Sequence, residues 1–195
     1  MNTRSVPLLL TLLLFAISAV AVDIREFSVP TLERLGNELI RVSQSPDRGA
    51  SDLARKRAKE TAVAALQGKL FDTRYDYVVL SDPDGSRFLV YALAATKYSG
   101  QVVLAGHFRV TVSADGMKAE RVDALAKSLA HSGEIQTDTA LLLLFQIVSN
   151  KPVETLIYTS NLAKKDIVVR TPDGTMWVVG KGKMRVERPK PPNSR

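Results

Sequence analysis

The sequence predicts an α+β fold, with N-terminal helices packed on a twisted, mostly antiparallel β-sheet built from hairpins. Three observations carry that class. Between Ser28 and Ser43 apolar residues recur at spacings of three and four. From Tyr75 the period drops to two. The alternating runs are joined by turns such as Asp82-Pro83-Asp84-Gly85, in which glycine supplies the positive φ of a tight turn.

The chain opens on a segment of another kind. Arg4 is followed by an apolar run from Val6 to Ala16 and by Ile17-Ser18-Ala19-Val20-Ala21, with small residues where signal peptidase reads. The apolar stretch, broken by Pro7, Thr11 and Ser18, barely reaches the roughly 20 residues of a spanning helix. Residues 1–21 are therefore expected to be a signal peptide cut after Ala21, which gives a periplasmic address. Residues 22–188 are expected to form a single α+β domain, helical over about 30–70 and β-rich over 75–188. Residues 189–195, basic and proline-rich, are expected to be a disordered tail. The 195 residues hold no cysteine, so burial rather than disulfides must stabilise the domain.

The first helix starts near Pro30 and lines up Leu32, Leu35, Leu39 and Val42 on one stripe. Pro46 and Gly49 break it. The second runs from Ser51, an N-cap with Asp52 behind it, to about Leu70. Its stripe of Leu53, Ala54, Ala58, Ala62, Ala65, Leu66 and Leu70 is rich in alanine, which lets a helix lie close to a sheet. Arg55, Lys56 and Lys59 fall together on its outer side.

Strands are expected at 75–81, 87–96 and 102–113, with Lys97-Tyr98-Ser99-Gly100 as the second hairpin turn and Asp115-Gly116 reversing the third strand. In that third strand Val102, Leu104, Gly106, Phe108, Val110 and Val112 point one way, toward a core. Val103, Ala105, His107, Arg109, Thr111 and Ser113 point the other, toward water. Residues 118–130 fit either a short helix or the return strand of a hairpin. The apolar run 140–148 fits a buried strand or a buried helix; its length and its neighbours tilt it to the strand. Strands follow at 154–159, 166–170, 175–179 and 184–187, giving a sheet of six or more. Two stretches echo each other, YVVLSDPDGSRFLV from Tyr77 and DIVVRTPDGTMWVV from Asp166. Pro-Asp-Gly between apolar strands is a common turn. Trp177 is expected in the core.

Searching for chemistry yields little. There is no Gly-x-Ser-x-Gly elbow, no HExxH helix and no glycine-rich phosphate loop. His107 and His131 stand 24 positions apart with no carboxylate pattern, so neither a metal nor a cofactor is expected. The formal charge of +7 favours an acidic protein partner, or weak contact with anionic lipid. No basic run interleaved with aromatics supports nucleic acid. Two readings of His107, Arg109 and Thr111 stay open: a solvated strand face, the commoner fate of such residues, or a recognition surface in which Arg109 offers a bidentate fork to a carboxylate.

The stretches GHFRVTVSADG, PVETLIYTS and TPDGTMWVV, following a signal peptide, resemble small, uncharacterised exported proteins of Gram-negative bacteria. The resemblance covers roughly residues 75–180. By analogy it implies a periplasmic, non-catalytic binding protein, an inhibitor or an immunity-type protein that occludes a toxin or effector. On that expectation His107, Arg109 and Thr111 form the contact face, while Arg55, Lys56 and Lys59 steer an acidic partner. The alternative is a small envelope hydrolase with His107 as base.

Overall fold

The computed structural model describes residues 24–136 and 138–187. The expected signal peptide and basic tail lie outside the described residues. Among those described the elements are α1 (Val29–Ser43), α2 (Leu53–Ala65), β1 (Arg74–Ser81), β2 (Phe88–Ala95), β3 (Val103–Ala105), β4 (Phe108–Val112), β5 (Ala119–Ala124), β6 (Ala130–His131), β7 (Leu141–Phe145), α3 (Thr155–Ala163), β8 (Asp166–Arg170), β9 (Met176–Gly180) and β10 (Lys183–Val186). The class is α+β, with helices packed on mostly antiparallel sheets.

Helix α1 starts where Ser28 Oγ accepts the Thr31 N–H, with Pro30 in the first turn. It buries Leu32, Leu35, Leu39 and Val42, the stripe its spacing predicts. The cap of α2 is Asp52 rather than Ser51, its carboxylate accepting Arg55 N–H at 2.9 Å. That helix ends at Ala65, short of Leu70. Leu53, placed in the apolar stripe by spacing, is exposed because it precedes the point where the helix meets the sheet.

The hairpins at Asp82–Gly85 and Asp115–Gly116 form as expected, and residues 118–130 supply the return strand β5. The single sheet of six or more strands does not. The strands divide into a sheet of order β1-β2-β4-β5, a second of order β10-β9-β8-β7, and a two-stranded β3-β6 pair. The split occurs at Gly106, whose φ of +115° turns the chain out of line; a Cβ there would lie 2.8 Å from Leu129 Cδ1. The predicted strand 102–113 is thereby cut in two. β4 pairs with β2, while β3 leaves to pair with β6.

The second difference is α3, where a strand was expected over 154–159. Its Thr-Leu-Ile-Tyr-Thr run favours strand by propensity, but β7 and β8 pair in parallel, and a parallel pair needs a long crossover, usually helical. The helix lies in that crossover, buried on most sides, and stops at Lys164 in the left-handed conformation. The two echoing turns close hairpins in different sheets.

The layers follow from which residues pack together. Val79, Val90, Ala92, Phe108, Val110 and Val112 of the first sheet pack against Ala58, Ala62 and Leu66 of α2 and its end. On the opposite face Val78, Leu80, Leu89, Tyr91 and Leu93 join α1, α3 and the inner residues of the second sheet, Ile167, Val169 and Val179. The first sheet is therefore covered on both faces. Trp177 is half-buried against this larger core, and its Nε1 has no hydrogen-bond partner among the described residues.

One contact fixes α2 on its sheet. Gly116, at φ +76°, turns against the helix; Thr61 Oγ1 donates to its carbonyl at 2.7 Å, and a Cβ would fall 2.3 Å from Ala54 O. Gly116→Ala is expected to cost about 1–3 kcal/mol by strain and overpacking, read as a lowered urea midpoint. An unchanged midpoint would show that the turn and helix yield freely.

Candidate functional site

The face that alternation assigned to water is interior. His107, Arg109 and Thr111 are 2%, 1% and 2% exposed. Alternation correctly puts them on one side of the strand, but α1 and α3 cover that side. The polar contact face expected there does not exist as a surface.

Arg109 instead centres a buried polar row. The register places Tyr91 on β2, Arg109 on β4 and Asp123 on β5 side by side. Arg109 Nε and Nη2 donate to Asp123 Oδ2 at 3.1 and 2.7 Å, and Nη1 donates to Glu154 Oε1 at 2.7 Å. Nη2 also reaches the Arg25 carbonyl. Tyr91 Oη donates to the same Glu154 oxygen at 2.8 Å, while Glu154 Oε2 is buried with no hydrogen-bond partner among the described residues. Burial works against charge on Arg109, but Glu154, Tyr91 and Asp123 outweigh it, so its pKa is raised. Burial, reinforced by the Glu154 charge, pushes the Tyr91 phenol well up.

The segment before α1 is riveted to this row. Arg25 N donates to Asp123 Oδ1 at 3.2 Å, and its guanidinium grips Asp82 through two bonds of 2.7 and 2.8 Å and Asp84 through one of 2.8 Å. The Phe27 ring lies 4.7 Å from Arg25 Cζ and 4.8 Å from Arg109 Cζ. Desolvation raises the Asp82 carboxyl, but its bonds from Arg25 and from the Asp84 N–H more than offset this, and its pKa is lowered. The Asp82/Asp84 pair is a turn and an anchor for Arg25.

His107 is equally committed. Its Nδ1 accepts the Ala94 N–H at 3.0 Å, so the proton sits on Nε2, which faces Thr159 Oγ1 at 3.5 Å. Burial pushes its pKa down to about 4, so it stays neutral between pH 5 and 8, the range in which an exposed histidine changes charge. The lone pair a hydrolytic base needs is occupied by backbone, and the ring does not meet solvent.

The basic helix residues separate too. Arg55 reaches inward, donating to Ser81 Oγ at 2.7 Å and stacking on Phe88 at 5.3 Å. Lys56 is exposed and Lys59 half-buried, both beside an open depression with Glu60 and Val63.

The described surface also carries an exposed apolar row. Leu141, Leu143, Phe145 and Ile147 are 49, 53, 63 and 53% exposed, every second residue of β7 and its extension. Among the described residues β7 ends its sheet, and the backbone on one side has no strand partner there. Register puts Val168 beside Leu143, and Arg170 beside Phe145; Val178 and Arg185 continue the same face. Exposed Lys127 lines a cavity of about 120 Å³ under the end of the row. Sequence reasoning missed this site because a run of leucines carries no period to show which residues face out. The available signal was the length of the run, beyond what one buried face requires.

Among the described residues no group of His, Asp or Glu is placed to hold a metal ion, and no helix is long and apolar enough to cross a membrane. No family model, curated protein or solved structure matches the chain.

Proposed function

We propose that this chain is a non-catalytic binding protein of the cell envelope, an inhibitor or immunity-type protein that engages an acidic protein partner through the β7 edge. The observation that carries the reading is the exposed row of Leu141, Leu143, Phe145 and Ile147 on a strand whose outer side is unpaired among the described residues. An exposed apolar edge is an aggregation hazard unless it is used. An added strand would satisfy the open backbone while its alternate side chains cover the row, which is strand addition. Arg170, Arg185 and Lys127 around the row, in a chain of formal charge +7, favour an acidic partner over a second copy of the chain. The leader-like N-terminal run and the lack of cysteine support the envelope address.

The test is capture of envelope and secreted proteins on the immobilised chain, at low and high salt, beside the Leu143→Lys/Phe145→Lys variant. Both side chains are exposed, so the variant is expected to fold with an unchanged Tm. One stoichiometric acidic protein should survive high salt on the original chain and fall at least tenfold on the variant. Equal capture by both, capture of salt-labile material alone, or recovery of the chain's own copies would overturn the reading.

A further inference from the structure

We propose that the β7 edge receives the carboxyl terminus of its partner: the added strand runs parallel to β7, its last side chain is apolar and enters the cavity beneath the row, and its terminal carboxylate meets Lys127. The proposal rests on the β7 edge being a docking site. It adds the direction of the strand laid there and the point where that strand stops.

The stopping point follows from the backbone. Gln146, the residue after β7, donates its N–H to the Arg170 carbonyl at 3.0 Å, so the even-numbered residues here turn their backbone groups to β8. Those of Leu141, Leu143 and Phe145 point to the side that is unpaired among the described residues. A strand laid along them finds the edge open at Leu141 and closed at Val148. Val148 is 2% exposed. With Ala126 and Lys127 it lines both the cavity beneath the row and an open depression beside Val122 and Ala124 of β5. The end of this edge thus abuts the chain that leaves β5, and an added strand has to finish before that junction.

The chemistry at the closed end decides what it finishes on. Leu104, Leu125, Leu144, Val153 and Leu156 wall the cavity. Its volume of about 120 Å³ suits one aliphatic side chain, being somewhat below the roughly 150 Å³ that admits benzene. Lys127 and Ser128 stand exposed at the mouth. No Asp or Glu lines either hollow; the charged residues that do, Lys127 and Lys69, are cations. Lys127 has no ion-pair partner among the described residues. A terminal ammonium would be repelled there, whereas a terminal carboxylate gains a charge-assisted hydrogen bond. The carboxyl end therefore lies beside Ile147, and the strand runs the way β7 runs. Strand addition and capture of a terminal carboxylate are separate modes of peptide recognition; on this edge they meet.

The experiment titrates the intact chain with acetyl-Glu-Thr-Val-Thr-Val-Leu, following the methyl signals of Leu141, Leu144, Ile147 and Val148. The valines of this peptide cover the row while its last leucine reaches the cavity. The free acid should bind about tenfold more tightly than its carboxyl-terminal amide, or than the peptide prolonged by two glycines. Lys127→Gln changes an exposed side chain, so it should keep the Tm and bring the free acid down to the amide. A nitroxide on the first residue of the peptide should broaden Leu141 more than Ile147. Equal affinity of acid, amide and prolonged peptide, all lost in Leu143→Lys/Phe145→Lys, would overturn the terminus while upholding the edge. Stronger broadening at Ile147 would overturn the parallel direction. Absence of shifts with any form would overturn the pairing, and the edge would then be judged by partner capture on Leu143→Lys/Phe145→Lys. Displacement of the peptide by an equal concentration of octanoate would overturn the peptide as occupant and assign the cavity and Lys127 to a fatty acid.

Discussion

Replacing Arg109 by methionine is expected to lower the unfolding free energy by about 3–5 kcal/mol, a large share of a typical domain's total. The size comes from what the substitution leaves behind. Arg109 is the cation between Asp123 and Glu154, whose side chains are both fully buried. Methionine fills much of the volume but supplies no donor. Asp123 keeps the Arg25 N–H and Arg121 Nε, the latter at 2.6 Å; Glu154 keeps only Tyr91 among the donors described. A buried carboxylate stripped of its cation costs far more than the intact pair contributes. The measurement is urea denaturation by circular dichroism, with Arg109→Met/Glu154→Leu beside the single variant. The double variant removes the stranded charge and should regain a substantial part of the loss. A single-variant cost below about 1 kcal/mol, or no recovery in the double, would show that the row is solvated in practice.

The second large effect is a pH dependence with one dominant source. His107 has a folded pKa of about 4 because burial opposes its charge, against about 6.5 in an unfolded chain. Above pH 6.5 it is neutral in both states and contributes no pH dependence. As the pH falls below 6.5 the unfolded chain takes up a proton that the fold refuses, so stability drops, and the drop levels off near pH 4. The loss across that window is about 3 kcal/mol. Carboxylates with lowered pKa values, such as Asp82 and Glu33, lose their contribution as the pH falls through their own depressed values, at the acid end of the scale. His107→Asn keeps an acceptor for the Ala94 N–H and removes the titration. Its stability should be nearly flat from pH 6.5 to 4.5, where the parent falls steeply. Parallel curves for the two proteins would refute the assignment.

The parts of this fold that local chemistry dictates were legible in the sequence. Leu32, Leu35, Leu39 and Val42 marked the buried side of α1, and the Asp-Pro-Asp-Gly and Asp-Gly turns marked two hairpins. The rest depended on contacts between distant segments. Alternation through 107–113 separates two faces but does not say which is wet, and here α2 covers one face and α1 with α3 the other. Without that layer Arg109 reads as a surface cation; with it, as an ion held by residues 14 and 45 positions away. The Thr155–Thr159 run has strand propensity and becomes helix because a parallel pair has to be bridged. The β7 row was hidden for the opposite reason, since unbroken apolarity has no phase. Burial misled twice: it concealed a polar hub and implied cover for side chains that have none.

The convergence on Arg109 also sets a time order. Its donors draw on residues 25, 123 and 154, so no contiguous stretch of chain can complete the site. The Arg25 carbonyl arrives across a separation of 84 positions, and ordering so long a loop is entropically slow compared with closing the β1–β2 hairpin. Docking of residues 24–27 should therefore be a late event on the folding path. In a stopped-flow experiment, substitutions at Arg25 or Phe27 would accelerate unfolding while leaving the refolding rate nearly untouched. Of the described residues, the first in sequence would be among the last to find their place.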